Sequence, residues 1–493
     1  MAFACHRRTL FIMAGAAGAA ALASLLLLRH ERSRDTSSSP APPAKLLPSR
    51  WYTDNRVPSG KVACVAHFRV LDVDRDPSGK VGGLSAIALR DDPALGWLAL
   101  DDLFVRQDTF LYCLDWGERV FVFVDVSSRK DVLAEPFLDR GIRKWAQGDA
   151  FVVSFDAAIA YSKAIETTEL VDSVTWIWNT GRCGSTLLHR IFANAGQVSR
   201  SPLASISEPR WLDELANWAS PGLKIDEGMA SDICLAAHVL EFSHLRSLAV
   251  MAGQEPPRLF SVNPKAFGHK IIRLVERAFP KKVQNHVFNY RDAPLVIESF
   301  GSIFNAGETT WQYYLRRAKA SLLPGGQGVQ PPGAPLPVFS SIAMKEQGSS
   351  LAKTLAHLAS HPVVPMLTLT WCDAVLTWLE FADGFYAEIE GSDRPISVHM
   401  SELVSHSTRE AVVTSLLADA GLEPTPAVIQ AALACFEEHS QKGSEVWRQS
   451  SAQTGRVFLL LSDKAAIDSA VGSIERLKLL GGPSLRLPGI VAK

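Results

Sequence analysis

The stretch VTWIWNTGRCGSTLLHRIFANAG, from Val174 to Gly196, limits what this chain can fold into more than any other. Val174 to Trp178 is a short apolar run of β-forming residues, as a buried parallel strand requires. Asn179 to Gly184 follows as a tight polar loop with glycines at 181 and 184. Leu187, Leu188, Ile191 and Phe192 then recur at helical spacing, with Gly196 as the expected stop. A strand that turns through glycines into a helix aims backbone N–H groups at one point, and an anion fits there. Ser185 and Thr186 add hydroxyls on the first helical turn, and Arg182 adds a planar fork suited to phosphate or sulfate oxygens. An ATP loop of the Walker type needs Lys directly before the Ser/Thr, where this chain has Gly184; that argues against a nucleotide kinase or GTPase.

A second strand–helix junction lies in NHVFNYRDAPLVIESF, from Asn285 to Phe300. His286 to Tyr290 reads as a strand, and Pro294 fits the first turn of the helix that follows. Arg291 stands at the junction and Ser299 lies 8 residues beyond it. Apolar strands alternating with amphipathic helices predict an α/β fold with a three-layer arrangement, a parallel sheet flanked by helices. Later, LAKTLAHLASH, TWCDAVLTWLEFADGFYAEI and PAVIQAALACFEEHSQ read as helices, and Gly325 to Val338 as a Gly/Pro loop.

These two motifs, in this order, resemble those of the PAPS-dependent sulfotransferase family, PAPS being 3'-phosphoadenosine-5'-phosphosulfate. TGRCGSTLL looks like that family's 5'-phosphosulfate loop, with Cys183 where the family often has Ser. The resemblance implies the P-loop nucleotide-hydrolase-like sulfotransferase fold. It also implies that Arg182, Cys183, Gly184, Ser185 and Thr186 hold the 5'-phosphate and sulfuryl group, while Arg291 and Ser299 grip the 3'-phosphate. A helix N-terminus can acidify a thiol such as that of Cys183, although transfer in this family is direct and needs no metal. ISVHMSELV is similar to a later strand and turn of the family, and HSQKGS to a basic loop, so Lys442 and Gly443 join the expected cofactor contacts. The likeness covers about Val171 to Ser451.

Sulfuryl transfer to a hydroxyl or amine needs a general base, because the acceptor loses a proton as it attacks. Glu208, in ISEPRWLDELA, is the first candidate, and a capping or ion-pairing role is its equal alternative; Asp213 and Glu214 come next. His189 on the first helix is a weaker candidate, and His238 and His244 sit in an apolar stretch suited to core histidines. Lys265, in NPKAF, is expected either to meet the transferred group or to be structural. No HxH or HExxH group suggests a metal site. The acceptor is not readable; a carbohydrate is the first expectation, ahead of a protein or small molecule. A membrane-anchored protein of this fold that binds the nucleotide without catalysis is the alternative.

The amino terminus adds a location. Residues 1–8 read as a cytoplasmic tail, Thr9 to Leu28 as an uncharged signal anchor long enough to span a bilayer, and residues 29–60 as a Ser/Pro-rich disordered stem. A single-pass type II membrane protein of the Golgi, with its body in the lumen, is the expectation, although no glycosylation sequon supports it. Residues 61–168 alternate apolar and polar positions and predict half-buried strands of an accessory region. The sulfotransferase domain is expected over 169–460, with 461–493 as a C-terminal tail that lies on the surface after Gly481. Lys plus Arg number 50 against 51 for Asp plus Glu, which speaks against a nucleic-acid partner, and the 7 cysteines make no disulfide framework.

Overall fold

A computed structural model of the chain describes Leu47, residues 64–75, 83–304, 339–358, 363–387, 396–437, Leu459 and residues 461–487, less short breaks at 91, 93–94, 136, 219–224 and 267. The expected anchor, the expected stem apart from Leu47, the Gly325 to Val338 loop, Lys442 and Gly443 lie outside the described residues.

The first half of the chain forms an antiparallel sheet of β1 (Cys64–Val73), β2 (Ile87–Arg90), β3 (Trp97–Ala99), β4 (Thr109–Asp115), β5 (Val120–Val126) and β6 (Ala146–Ser154). The strand order is β2-β1-β6-β5-β4, with β3 on β1. Half-buried strands were the expectation from alternation, but β4 and β5 are buried on both faces. The reason is that helix α1 (Leu138–Trp145) packs on these two strands, while Phe121, Phe123 and Phe151 point into a core shared with the second sheet.

That second sheet is wholly parallel, as the alternation of strands and helices predicts. In chain order it runs β7 (Ser173–Asn179), α2 (Ser185–Val198), β8 (Leu203–Ser207), α3 (Arg210–Leu215), α4 (Glu227–Met251), β9 (Leu259–Asn263), β10 (Gln284–Tyr290) and α5 (Ala293–Phe304). It continues with α6 (Ile342–Leu358), α7 (Val363–Ala387), β11 (Ile396–His399), α8 (Arg409–Asp419), α9 (Pro426–Leu433) and α10 (Leu461–Gly472). The strand order is β11-β10-β7-β9-β8. Trp176, Trp178, Val262 and Phe288 enter the core shared with the antiparallel sheet. Ile177, Val287 and Val398 face the other way, against α2, α8 and α9. Burial on both faces explains why the strands read as near-continuous apolar runs.

Helix α4 is long and apolar enough to cross a membrane by length and composition, yet it packs inside the protein between the two sheets. The His238 ring stands edge-on to Trp176 of β7, Phe242 stacks on Phe260 of β9, and His244 Nε2 donates to the Thr109 carbonyl of β4 at 2.9 Å. Both histidines are buried, as a core reading of that stretch requires.

Two expectations need correction. Gly196 does not stop its helix, which runs to Val198; a Cβ there would lie 2.4 Å from the Leu203 carbonyl oxygen, so glycine is needed for close packing on β8. Nor is the stretch after Gly481 a surface tail as far as Leu487. Ile467, Val471, Leu485 and Leu487 are buried in the shared core, and Leu487 N donates to Tyr290 Oη at 2.9 Å.

Candidate functional site

In a parallel sheet, ligands bind beyond the carboxyl ends of the strands, where the order of connection reverses. Here that place is β7: the chain goes from it towards β9 and β8 on one side, then returns to β10 and β11 on the other. The residues singled out in the sequence fall at these ends. Arg182 follows β7, Glu208 follows β8, Lys265 follows β9 and Arg291 follows β10.

The loop after β7 is fixed from below. Asn179 Oδ1 accepts from Gly181 N at 2.9 Å, and Asn179 Nδ2 donates to the Pro264 carbonyl at 3.0 Å. Gly181, Arg182 and Gly184 have φ of 74°, 52° and 90°. Three left-handed residues in four close the turn tightly, and at Arg182 the conformation is strained because a side chain is present. Gly184 is the N-cap of α2, and no side chain caps this end. Gly184 is partly exposed, while Ser185 and Thr186 are largely buried.

Cys183 does not face the loop's opening. Its Sγ is fully buried and donates to the Asn289 carbonyl at 3.1 Å. Burial pushes this thiol up to about 11, so the acidification expected of a helix N-terminus is overridden by loss of water. Asn289 itself is fully buried, and neither end of its amide has a hydrogen-bond partner.

The structure brings both anion motifs together. Arg182 Nε donates to Ser299 Oγ at 2.9 Å, and Arg291 Nη1 approaches the Arg182 carbonyl at 3.4 Å. Arg291 forms no ion pair among the described residues. Burial, and then the neighbouring Arg291, lower the Arg182 guanidinium below its ordinary value; burial does the same to Arg291.

Glu208 sits at φ 49°, with its N–H donated to the Asn263 carbonyl at 2.7 Å. Burial pushes its carboxyl up to about 7, against the opposing pull of Lys265, Arg140 and Arg182 and with some help from Asp213. Lys265 Nζ is paired with Asp213 and lies 3.4 Å from Asp139 Oδ2. Although burial opposes it, these carboxylates hold the ammonium above its ordinary value. Asp213 is thus the partner of Lys265, and Glu214 is that of Arg210 at 2.6 Å. His189 Nδ1 is 2.7 Å from Ser205 Oγ, and burial brings this ring down to about 4.

Two groups had no signal in the sequence. Asp139 and Arg140, on the first turn of α1, belong to the region in which no site was expected; FLDRGIRKW carries no motif that would mark them. Among the described residues no group of His, Cys, Asp and Glu could hold a metal ion. No family model matches the chain, and no curated protein matches it in sequence.

Proposed function

We propose that this chain is a sulfotransferase that moves a sulfuryl group from PAPS to a hydroxyl or amine, a carbohydrate hydroxyl being the first acceptor to try. The observation that carries the reading is the meeting of Arg182, Arg291 and Ser299 at the switch point of a parallel sheet. The residues fit a doubly anionic nucleotide. The side chains of Arg182, Arg291 and Ser299 meet beside the loop, a glycine loop opens onto a helix end that no side chain caps, and the buried Asn289 amide has no hydrogen-bond partner at either end.

PAPS, when bound, would supply the activated sulfuryl group on its phosphosulfate. Arg182, the loop and the hydroxyls of Ser185 and Thr186 would hold the phosphosulfate end, and Arg291 with Ser299 the 3'-phosphate. Glu208 takes the acceptor's proton on its carboxylate, and a proton affinity near pH 7 suits that task. Lys265 stays charged and faces developing negative charge. Thr9 to Leu28 would anchor the protein in the Golgi membrane with this body in the lumen.

The test is calorimetric titration of the full-length chain in detergent with the desulfated product 3',5'-adenosine bisphosphate (PAP). Wild-type chain binds without metal, and Arg182→Ala and Arg291→Ala each weaken binding by about 10- to 100-fold, the worth of a charged hydrogen bond. Folded wild-type chain that does not bind PAP refutes the reading.

A further inference from the structure

The antiparallel region does more than support the parallel sheet. Asp139 is 5% exposed, and while its Oδ2 reaches Lys265, its Oδ1 has no hydrogen-bond partner. A carboxylate buried and half-matched at the first turn of α1 is costly, and core packing gives no reason for it. It lies 126 residues from Lys265 in the chain and is brought there by the packing of α1 on β4 and β5.

We propose that Asp139 is a positioning residue of the centre: with Asp213 it fixes the Lys265 ammonium beside Glu208, so that α1, packed on the antiparallel sheet, completes the site. Its consequence for turnover rests on the sulfuryl-transfer reading; its hold on Lys265 does not. The titratable and charged groups that face this cluster are Arg140 and Arg182 around Glu208, Arg210 and Glu214 around Asp213, and Arg210 with the Tyr112 hydroxyl and the Cys113 thiol around Asp139. Lys265 therefore has two carboxylates to share, and losing one leaves it free to shift towards Glu208. That shift favours ionised Glu208.

Two measurements on the full-length chain test this. The first is timed acetylation of lysines by acetic anhydride at pH 8.5, read by mass spectrometry, with exposed Lys163 as the internal standard. In wild type Lys265, two-thirds covered, is labelled far more slowly than Lys163. Asp139→Asn accelerates Lys265 about tenfold, the effect of lowering its proton affinity by one pH unit. Asp139→Glu stays slow. Equal Lys265 rates in wild type and folded Asp139→Asn overturn the proposal. If Asp139→Asn does not fold, wild type decides, and labelling of Lys265 as fast as Lys163 overturns it. The second measurement is the pH profile of transfer from PAPS. Asp139→Asn moves the acid limb of kcat/KM to lower pH and leaves PAP affinity unchanged, which a merely structural role would not do; an unmoved limb overturns the proposal. Should wild type fail to bind PAP, the sulfotransferase reading falls alone and the labelling contrast still decides.

Discussion

Replacing Glu208 by Gln should stabilise the protein at alkaline pH while removing the proposed transfer activity. The folded state holds the Glu208 proton up to about pH 7, whereas an ordinary glutamate releases it near 4.5. Between those values folding takes up a proton, so this residue makes wild-type stability fall as pH rises through that window. Each pH unit is worth about 1.4 kcal/mol, which sets a ceiling of about 3 kcal/mol above pH 7. Glu208 keeps some contact with water, so about 1 to 3 kcal/mol is the expected gain. Glutamine has the shape of the protonated acid and carries no charge to bury. Urea unfolding of wild type and Glu208→Gln, run at pH 5 and pH 8, measures it. The gain at pH 5, just inside the window, should be about a quarter of its full value at pH 8, while the proposed transfer from PAPS drops by about 100-fold or more at both. An equal gain at both pH values, or none at pH 8, refutes the assignment of Glu208 as a carboxyl that burial keeps protonated.

Two further outcomes test other parts of the structure. Gly181→Ala would place a Cβ 2.6 Å from the Phe300 ring and 2.8 Å from Ala266 Cβ at a φ of 74°; it should cost about 1 to 3 kcal/mol in urea unfolding and weaken PAP binding in the same titration. Asp373, almost fully buried, accepts from His269 Nε2 at 2.8 Å and from the amides of Ser340 and Ser341 at 3.0 and 2.8 Å; Asp373→Asn should cost about 2 to 4 kcal/mol in urea unfolding.

What the sequence made legible was local. The loop from Asn179 to Thr186 could be read because strand, glycine turn and helix are contiguous, and each step has its own periodicity. Arg291 and Ser299 could be read for the same reason. Glu208, Lys265 and Arg291 each stand just past an apolar run, where a strand buried on both faces first permits a charge. Which strand lies beside which was not legible, and so neither was the contact of Arg182 with Ser299, 117 residues away. The double burial of β4 and β5 escaped notice because the helix that covers them lies outside their alternating pattern. The direction of the Cys183 side chain was equally hidden: a helix N-terminus acidifies a thiol only where water or a cation reaches it, and this one turns into the sheet.

The charges around Glu208 also bear on how the centre would work as a unit. Glu208 feels Lys265, Asp213, Arg140 and Arg182, and Lys265 feels Asp213, Asp139 and Glu208. With Glu208 ionised, its charge offsets part of the pull of these cations on a further anion. When Glu208 takes a proton from the acceptor, the same cluster gains one net positive charge. On the proposed reaction, that gain arrives as the nucleotide departs with the negative charge of the broken phosphosulfate bond. Proton transfer and leaving-group stabilisation are then one event. A partly dry site lets that single charge act strongly, because little water is present to screen it. A base with the proton affinity of an exposed glutamate would take that proton with less driving force and make the switch less completely.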